Sequence, residues 1–243
     1  MNLTTQSKQL QDLLGLKWPP ISITFRKEVP VGIPRISESA PSGCTYWKLA
    51  AEGQVFYTEA SDHFGCPIGA YTHGVSLPPA QSKELEGMIE TMVGLSYLKM
   101  EEVPSIPHRE DPFGVAVYAP LADTPFQPDV VVVRGNAKQM MLLAEAVNAA
   151  GVGSAGGIMG RPTCTMIPAV IKTQQTAISL GCIGNRVYNE LSDEEFYTAM
   201  AEPTLTEVMG QLKTVVAANN ELETFHRSRR AYVDGQQRQL RKT

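Results

Sequence analysis

At 243 residues the chain is long enough for one large domain or two small ones. Its 43% hydrophobic and 19% charged residues, with 20 Gly and 17 Pro, exclude a disordered or fibrous chain. No run approaches the roughly 18 uninterrupted apolar residues of a membrane span, and the opening MNLTTQSKQLQDLLGL lacks the basic head and apolar block of a signal peptide. The expectation is a cytoplasmic protein with no membrane association. The net charge of −4 is unevenly placed: Arg227 to Thr243 carry six basic residues and one acid, a tail of +5, which leaves the rest of the chain at −9. An acidic body argues against nucleic-acid binding, which needs a basic face. The basic tail, 226–243, reads as a solvated terminus, with a docking arm as the minority alternative.

In chain order, Leu10, Leu13 and Leu14 share one face of a helix predicted from about Lys8 to Leu16. ISITF at 21–25 alternates as a strand does. Further strands are predicted at 55–58 and 114–121, and most clearly at 130–133, where four consecutive valines suit a strand buried on both faces. Leu85, Met88, Ile89, Met92 and Val93 follow helical spacing, as do Met140, Met141, Ala144 and Val147, and both helices are expected to lie against the sheet. Ser192 and Glu195 have capping-box spacing before Phe196, and Leu205, Val208, Met209, Leu212, Val215 and Val216 stripe a longer helix after Pro203. Gly151, Gly153 and Gly156 spell G-x-G-x-x-G, but a helix precedes them where a dinucleotide fingerprint requires a strand. Gly151 to Gly160 therefore reads as a connection.

The chain echoes itself. Strand, SGC at 42–44, helix-like TYWKLAAEG, strand VFYTE and FGCPIG at 64–69 are followed in the second half by strand VVVV, PTC at 162–164, helix-like TMIPAVIKT, strand TAISL and LGCIGN at 180–185. The expected fold is α/β, one compact domain over 1–225 of two pseudo-symmetric halves, about 1–105 and 106–225, around a mainly parallel or mixed sheet.

Four cysteines in a reducing compartment are not expected to form structural disulfides. Their plain reading is small buried hydrophobes. Against it, Cys44, Cys66, Cys164 and Cys182 all sit beside Gly or Pro, in turns where backbone can approach a ligand. Cys44 and Cys164 fall at predicted helix starts, where a thiolate is favoured. If the halves pack about a dyad, four separate loops bring four thiolates together. The absence of any C-x-x-C pair suits an iron-sulfur cluster better than a zinc ribbon.

CTYWKLAAEG, DHFGCPIGAYTHG, GRPTC and SLGCIGNRVY, with PDVVVV among them, resemble in the same order the bacterial and archaeal domain-of-unknown-function family 169. The resemblance covers most of the chain and implies the four cysteines as a set, together with Asn185 and Arg186. It implies no reaction and no particular metal.

The leading expectation is a cysteine-ligated metalloprotein holding an iron-sulfur cluster for electron transfer, redox sensing or a redox reaction, with a redox partner protein. The alternative is a haem or tetrapyrrole carrier using Cys66-Pro67 with His63 or His73. A metal-free thiol enzyme or small-molecule binding module is the third reading, with Asp62-His63 the only base near Cys66. Arg161 and Arg186, each beside a cysteine turn, are candidates to neutralise acidic groups of a ligand. Whether the protein is an enzyme is left open, and a homodimer follows only from the general preference of soluble proteins.

Overall fold

A computed structural model of the chain describes residues 2–38, 40–158 and 162–240, with backbone alone over 154–158 and 237–240. Seven strands form one sheet: β1 (Ile21–Arg26), β2 (Phe56–Glu59), β3 (Val115–Pro120), β4 (Val130–Asn136), β5 (Ser154–Ile158), β6 (Thr176–Ser179) and β7 (Glu195–Met200). Their order across the sheet is β2-β3-β1-β4-β7-β6-β5. Every pairing is antiparallel except the edge pair β5–β6. The fold is thus an α/β domain on an antiparallel sheet, which corrects the expectation of a mainly parallel or mixed one. Alternating strands and helices suggested crossover units, but β1 and β4 pair directly with each other at the centre, Ile21 opposite Val132, and each then gains an antiparallel neighbour, β3 and β7.

Residue alternation sends the two sides of each strand to different cores. Ile21, Ile23, Val130, Val132, Tyr197 and Ala199 face one core, under α2 (Thr45–Ala51) and α6 (Met166–Thr173), which Cys44 and Cys164 precede. Val131, Val133 and Met200 face the other, under α1 (Leu3–Leu14), α5 (Ala137–Ala149) and α8 (Glu202–Leu240). On this second side Asn2 caps α1, accepting from the Thr5 N–H at 2.8 Å, and Gly15 ends it in the left-handed region. Asn136 and Gln139 form the capping box of α5.

Three local expectations change. The helix striped by Leu85, Ile89 and Met92 is α4 (Pro79–Gly94), but it packs on α3 (Pro67–Thr72) rather than on the sheet and buries no residue fully. The Ser192–Glu195 pair does form, Ser192 Oγ donating to Glu195 Oε2 at 3.2 Å, yet it closes a turn into β7, because EFYTAM pairs on both sides and fills the gap between β4 and β6. The sequence SAGGI, within the segment read as a connection, is β5. The basic tail continues α8 as helix through Leu240.

Candidate functional site: four thiols on one face of the sheet

Each cysteine stands at the start of a helix. Cys44 immediately precedes α2, and Cys66 is the N-cap of α3. Cys164 lies in a 3-10 turn, Thr163–Thr165, that leads into α6. Cys182 is the N-cap of α7 (Ile183–Asn189). Cys66 and Cys182 do the same job: each sulfur accepts the backbone N–H three residues on, from Gly69 and Asn185, both at 3.4 Å. The residue before the other cysteine of each half supports this cap. The Gly43 N–H also points at the Cys66 sulfur, and Thr163 Oγ1 accepts from the Cys182 N–H at 2.7 Å. Position 69 must be glycine for this packing, since a Cβ there would lie 2.9 Å from the Cys66 sulfur.

The halves also reach across to each other. Cys44, whose sulfur lies 3.4 Å from Ser42 Oγ, faces the Asn185 carboxamide on α7, while Cys164 faces the Thr72 hydroxyl on α3. The ionisation of Cys164 is opposed by Cys66, Cys44 and Cys182, that of Cys44 by Cys182 and Cys66, and that of Cys66 by Cys182. All four sulfurs are therefore within electrostatic range of one another. As the side chains stand, no group of three or more Cys, His, Asp or Glu among the described residues is placed to hold a metal ion.

Cys44, Cys66 and Cys164 are not activated. Burial pushes Cys44 up to about 11, against weaker opposing bonds from Ser42 and Asn185. Burial also raises Cys66 and, well above its ordinary value, Cys164, where the neighbouring thiols add to it. The expectation of thiolates favoured at helix starts is thus overturned for Cys44 and Cys164, because desolvation outweighs the dipole of such short helices.

Asn185 is 1% exposed, and both atoms of its carboxamide lack a hydrogen bond of good geometry, although it lies beside Cys44 and the Tyr197 hydroxyl. A buried amide left without partners costs on the order of 1–3 kcal/mol. An amide aimed at a thiol cluster is what a ligand rich in sulfur would satisfy.

His63 and His73 lie in the interior, 1% and 0% exposed, with rings 5.7 Å apart. The Thr58 hydroxyl donates to the Ala116 carbonyl and accepts from His63 Nε2 at 2.9 Å, while His73 Nδ1 donates to the Gly69 carbonyl at 2.7 Å. His63 Nδ1 and His73 Nε2 are left without partners. Burial lowers His63 to about 3, with His73 adding to the effect, and lowers His73 to about 4. Asp62 is committed to Arg35, through Nε and Nη2 at 3.0 Å each, and to the Glu59 N–H at 2.8 Å. Arg186 is a loop clasp, donating to the Leu180 and Ser192 carbonyls at 2.6 and 2.9 Å. Arg161 lies outside the described residues.

Sequence reasoning missed Thr72 and Thr163, which carry only the weak signal of lying in cysteine blocks. The fully buried Tyr46 hydroxyl donates to the Asp62 carbonyl at 2.6 Å and accepts from the Ala40 N–H at 3.2 Å, tying the Cys44 and Cys66 loops together. Tyr46→Phe should cost about 1–3 kcal/mol, since it strands both backbone groups. Urea denaturation measures this, and an unchanged midpoint would contradict it.

The geometry defines an α/β protein with four cysteines at helix starts beside one sheet. The chain belongs to the DUF169 family, described as Uncharacterised ArCR, whose sequence model matches residues 9–210. It is 27% identical over 215 residues to the uncharacterized protein MJ0308 of Methanocaldococcus jannaschii, an alignment covering 84% of this chain and 90% of that protein. No solved structure matches it significantly.

Proposed function

We propose that the protein is a metalloprotein in which Cys44, Cys66, Cys164 and Cys182 hold an iron-sulfur cluster for electron transfer, redox sensing or a redox reaction. The observation that carries this reading is the placement of four thiols, 18 to 138 residues apart as their numbers give, within electrostatic range of one another. The donor set is all sulfur, which suits iron-sulfur chemistry and soft metals. The N–H groups of Gly43, Gly69 and Asn185 point at ligand sulfurs and would stabilise them once ionised. The reading requires the thiols to close on the cluster as it loads, and a reducing compartment such as the cytoplasm to keep them free. What a bound cluster supplies is one-electron chemistry; this chain supplies ligands, hydrogen bonds and burial.

We further propose that the domain arose from two related halves. Outward from the central pair, β1-β3-β2 on one side matches β4-β7-β6 on the other, and Cys44, Cys66 match Cys164, Cys182. The division then falls after β3, later than residue 105.

The other readings have less support. Two fully buried imidazoles have no surface to offer a tetrapyrrole. A thiol enzyme needs a lowered thiol beside a base, and burial raises Cys44, Cys66 and Cys164 while Asp62 is spent on Arg35.

The test is the alkylation rate of each cysteine, slow at buried Cys44 and Cys164 from the start, before and after anaerobic reconstitution with ferrous iron and sulfide. All four rates should fall together; a fall at two or fewer would contradict a shared site. Asn185→Ala should weaken loading by about 10- to 100-fold, the usual effect of losing a supporting hydrogen bond at a metal site, as measured by a chelator challenge. Loading unchanged in that variant would remove Asn185 from the site.

A further inference from the structure

Two surfaces of this chain lack a partner, and they match each other. The first is the outer side of α7, immediately after Cys182. Ile183 and Val187 are 75% and 66% exposed, flanked by exposed Leu180 and Tyr188. A soluble helix normally buries such an i, i+4 pair. The rim carries three exposed acids: Glu190 pairs with Lys48 at 3.3 Å and Asp193 with Arg186 at 3.6 Å, both with most of their surface open, and Glu194 is exposed beside them, which leaves the rim with one acid more than its bases.

The second surface is the end of α8. Asn219 and Glu223 still hold α8 to Glu145 and Lys138 of α5, and after Glu223 the helix leaves the domain and runs on to Leu240, a projection of about 26 Å at 1.5 Å per residue. Leu222 at its base and Phe225, Tyr232 and Val233 along it are exposed, and helical spacing places them in one arc of about 100°. Arg227, Arg229 and Arg230 alternate with them, in the segment that carries the +5. This arm lies beyond residues 9–210, which the family's sequence model matches.

We infer that the α8 arm of one copy docks on the α7 face of a second copy, and reciprocally, giving a twofold dimer. Charge and apolar character are complementary: basic and apolar on the arm, acidic and apolar on the face. The arm cannot serve its own α7, because α8 is one continuous helix anchored on the opposite side of the sheet from α7. Twofold symmetry uses the contact twice, so about 600–1,000 Å² per contact reaches the size of a standard specific interface. The inference goes beyond the metal site and does not depend on it.

The experiment is sedimentation equilibrium of the full chain and of two variants altered only at exposed positions. The face variant is Ile183→Glu with Val187→Glu, and the arm variant is Leu222→Glu with Phe225→Glu. Wild type should be a dimer, and each variant alone should be shifted toward monomer by at least tenfold in dissociation constant. Mixing the two variants should restore a heterodimer, because the arm variant keeps its face and the face variant keeps its arm. Circular dichroism should show both variants folded as wild type. A monomeric wild type would overturn the inference. So would a face variant that stays dimeric, which indicates arm-to-arm pairing, an arm variant that stays dimeric, which indicates face-to-face pairing, or a mixture without heterodimer.

Discussion

Replacing Cys164 with serine is expected to abolish cluster loading while leaving the fold in place. Cys164 is the thiol whose ionisation is opposed by all three others, and it sits 6% exposed in the core at the start of α6. Serine is close in size, and the Thr72 hydroxyl that faces Cys164 offers the new hydroxyl a partner, so the structural cost is about 1–2 kcal/mol. The loss of a thiolate ligand is far larger in effect. Supporting hydrogen bonds alone are worth 10- to 100-fold at metal sites, and a missing ligand should exceed that, leaving less than about a tenth of wild-type iron after reconstitution. Cys44→Ser, Cys66→Ser and Cys182→Ser should behave alike. Iron and sulfide analysis of the four variants, with urea denaturation alongside, separates loss of the site from loss of the fold. Full loading in any one of them would remove that cysteine from the ligand set.

Acidification from pH 8 to pH 5 should reduce the stability of the metal-free protein by about 4 kcal/mol through His63 and His73 alone. Both imidazoles are held neutral by burial, at about 3 and about 4, against an ordinary value near 6.5. The unfolded chain therefore binds more protons than the native one between about pH 6.5 and pH 4. Stability is fully present above pH 6.5 and falls as pH drops through that window, by about 2 kcal/mol for each ring at pH 5. Denaturant midpoints measured across the range should show the fall, with uptake of about two protons on unfolding near pH 5. A flat profile would contradict neutral imidazoles held in the interior. Metal loading should respond in the same direction for a separate reason. The raised thiols of Cys44, Cys66 and Cys164 must release protons to bind metal, so loading strengthens as pH rises.

The sequence was most legible where local pattern and tertiary structure agree. ISITF and VVVV alternate or run apolar because β1 and β4 are central strands covered on both sides, and the two cysteine blocks of each half announced their turns through Gly and Pro. Strand direction was not legible, since it depends on which strands meet, and direct pairing of β1 with β4 leaves no trace in either segment. The helical stripe of α4 said that one side is apolar without saying that its neighbour is α3. The Ser192–Glu195 bond forms in a turn as readily as at a helix start, so its spacing could not decide between α-helix and β7. The convergence of the thiols was an expectation from the internal echo. The resistance of Cys44, Cys66 and Cys164 to ionisation was not foreseen, because helix position is visible in sequence and burial is not. Asn185 was singled out through the family resemblance alone. Its unpartnered amide beside Cys44 gives that suggestion a physical reason.

The most direct measurement is an absorption spectrum with iron and acid-labile sulfide analysis on protein purified without air. The account predicts broad absorbance near roughly 400 nm, with iron and sulfide in comparable amounts. Protein that is colourless and iron-free, and that stays so after anaerobic reconstitution, would contradict it.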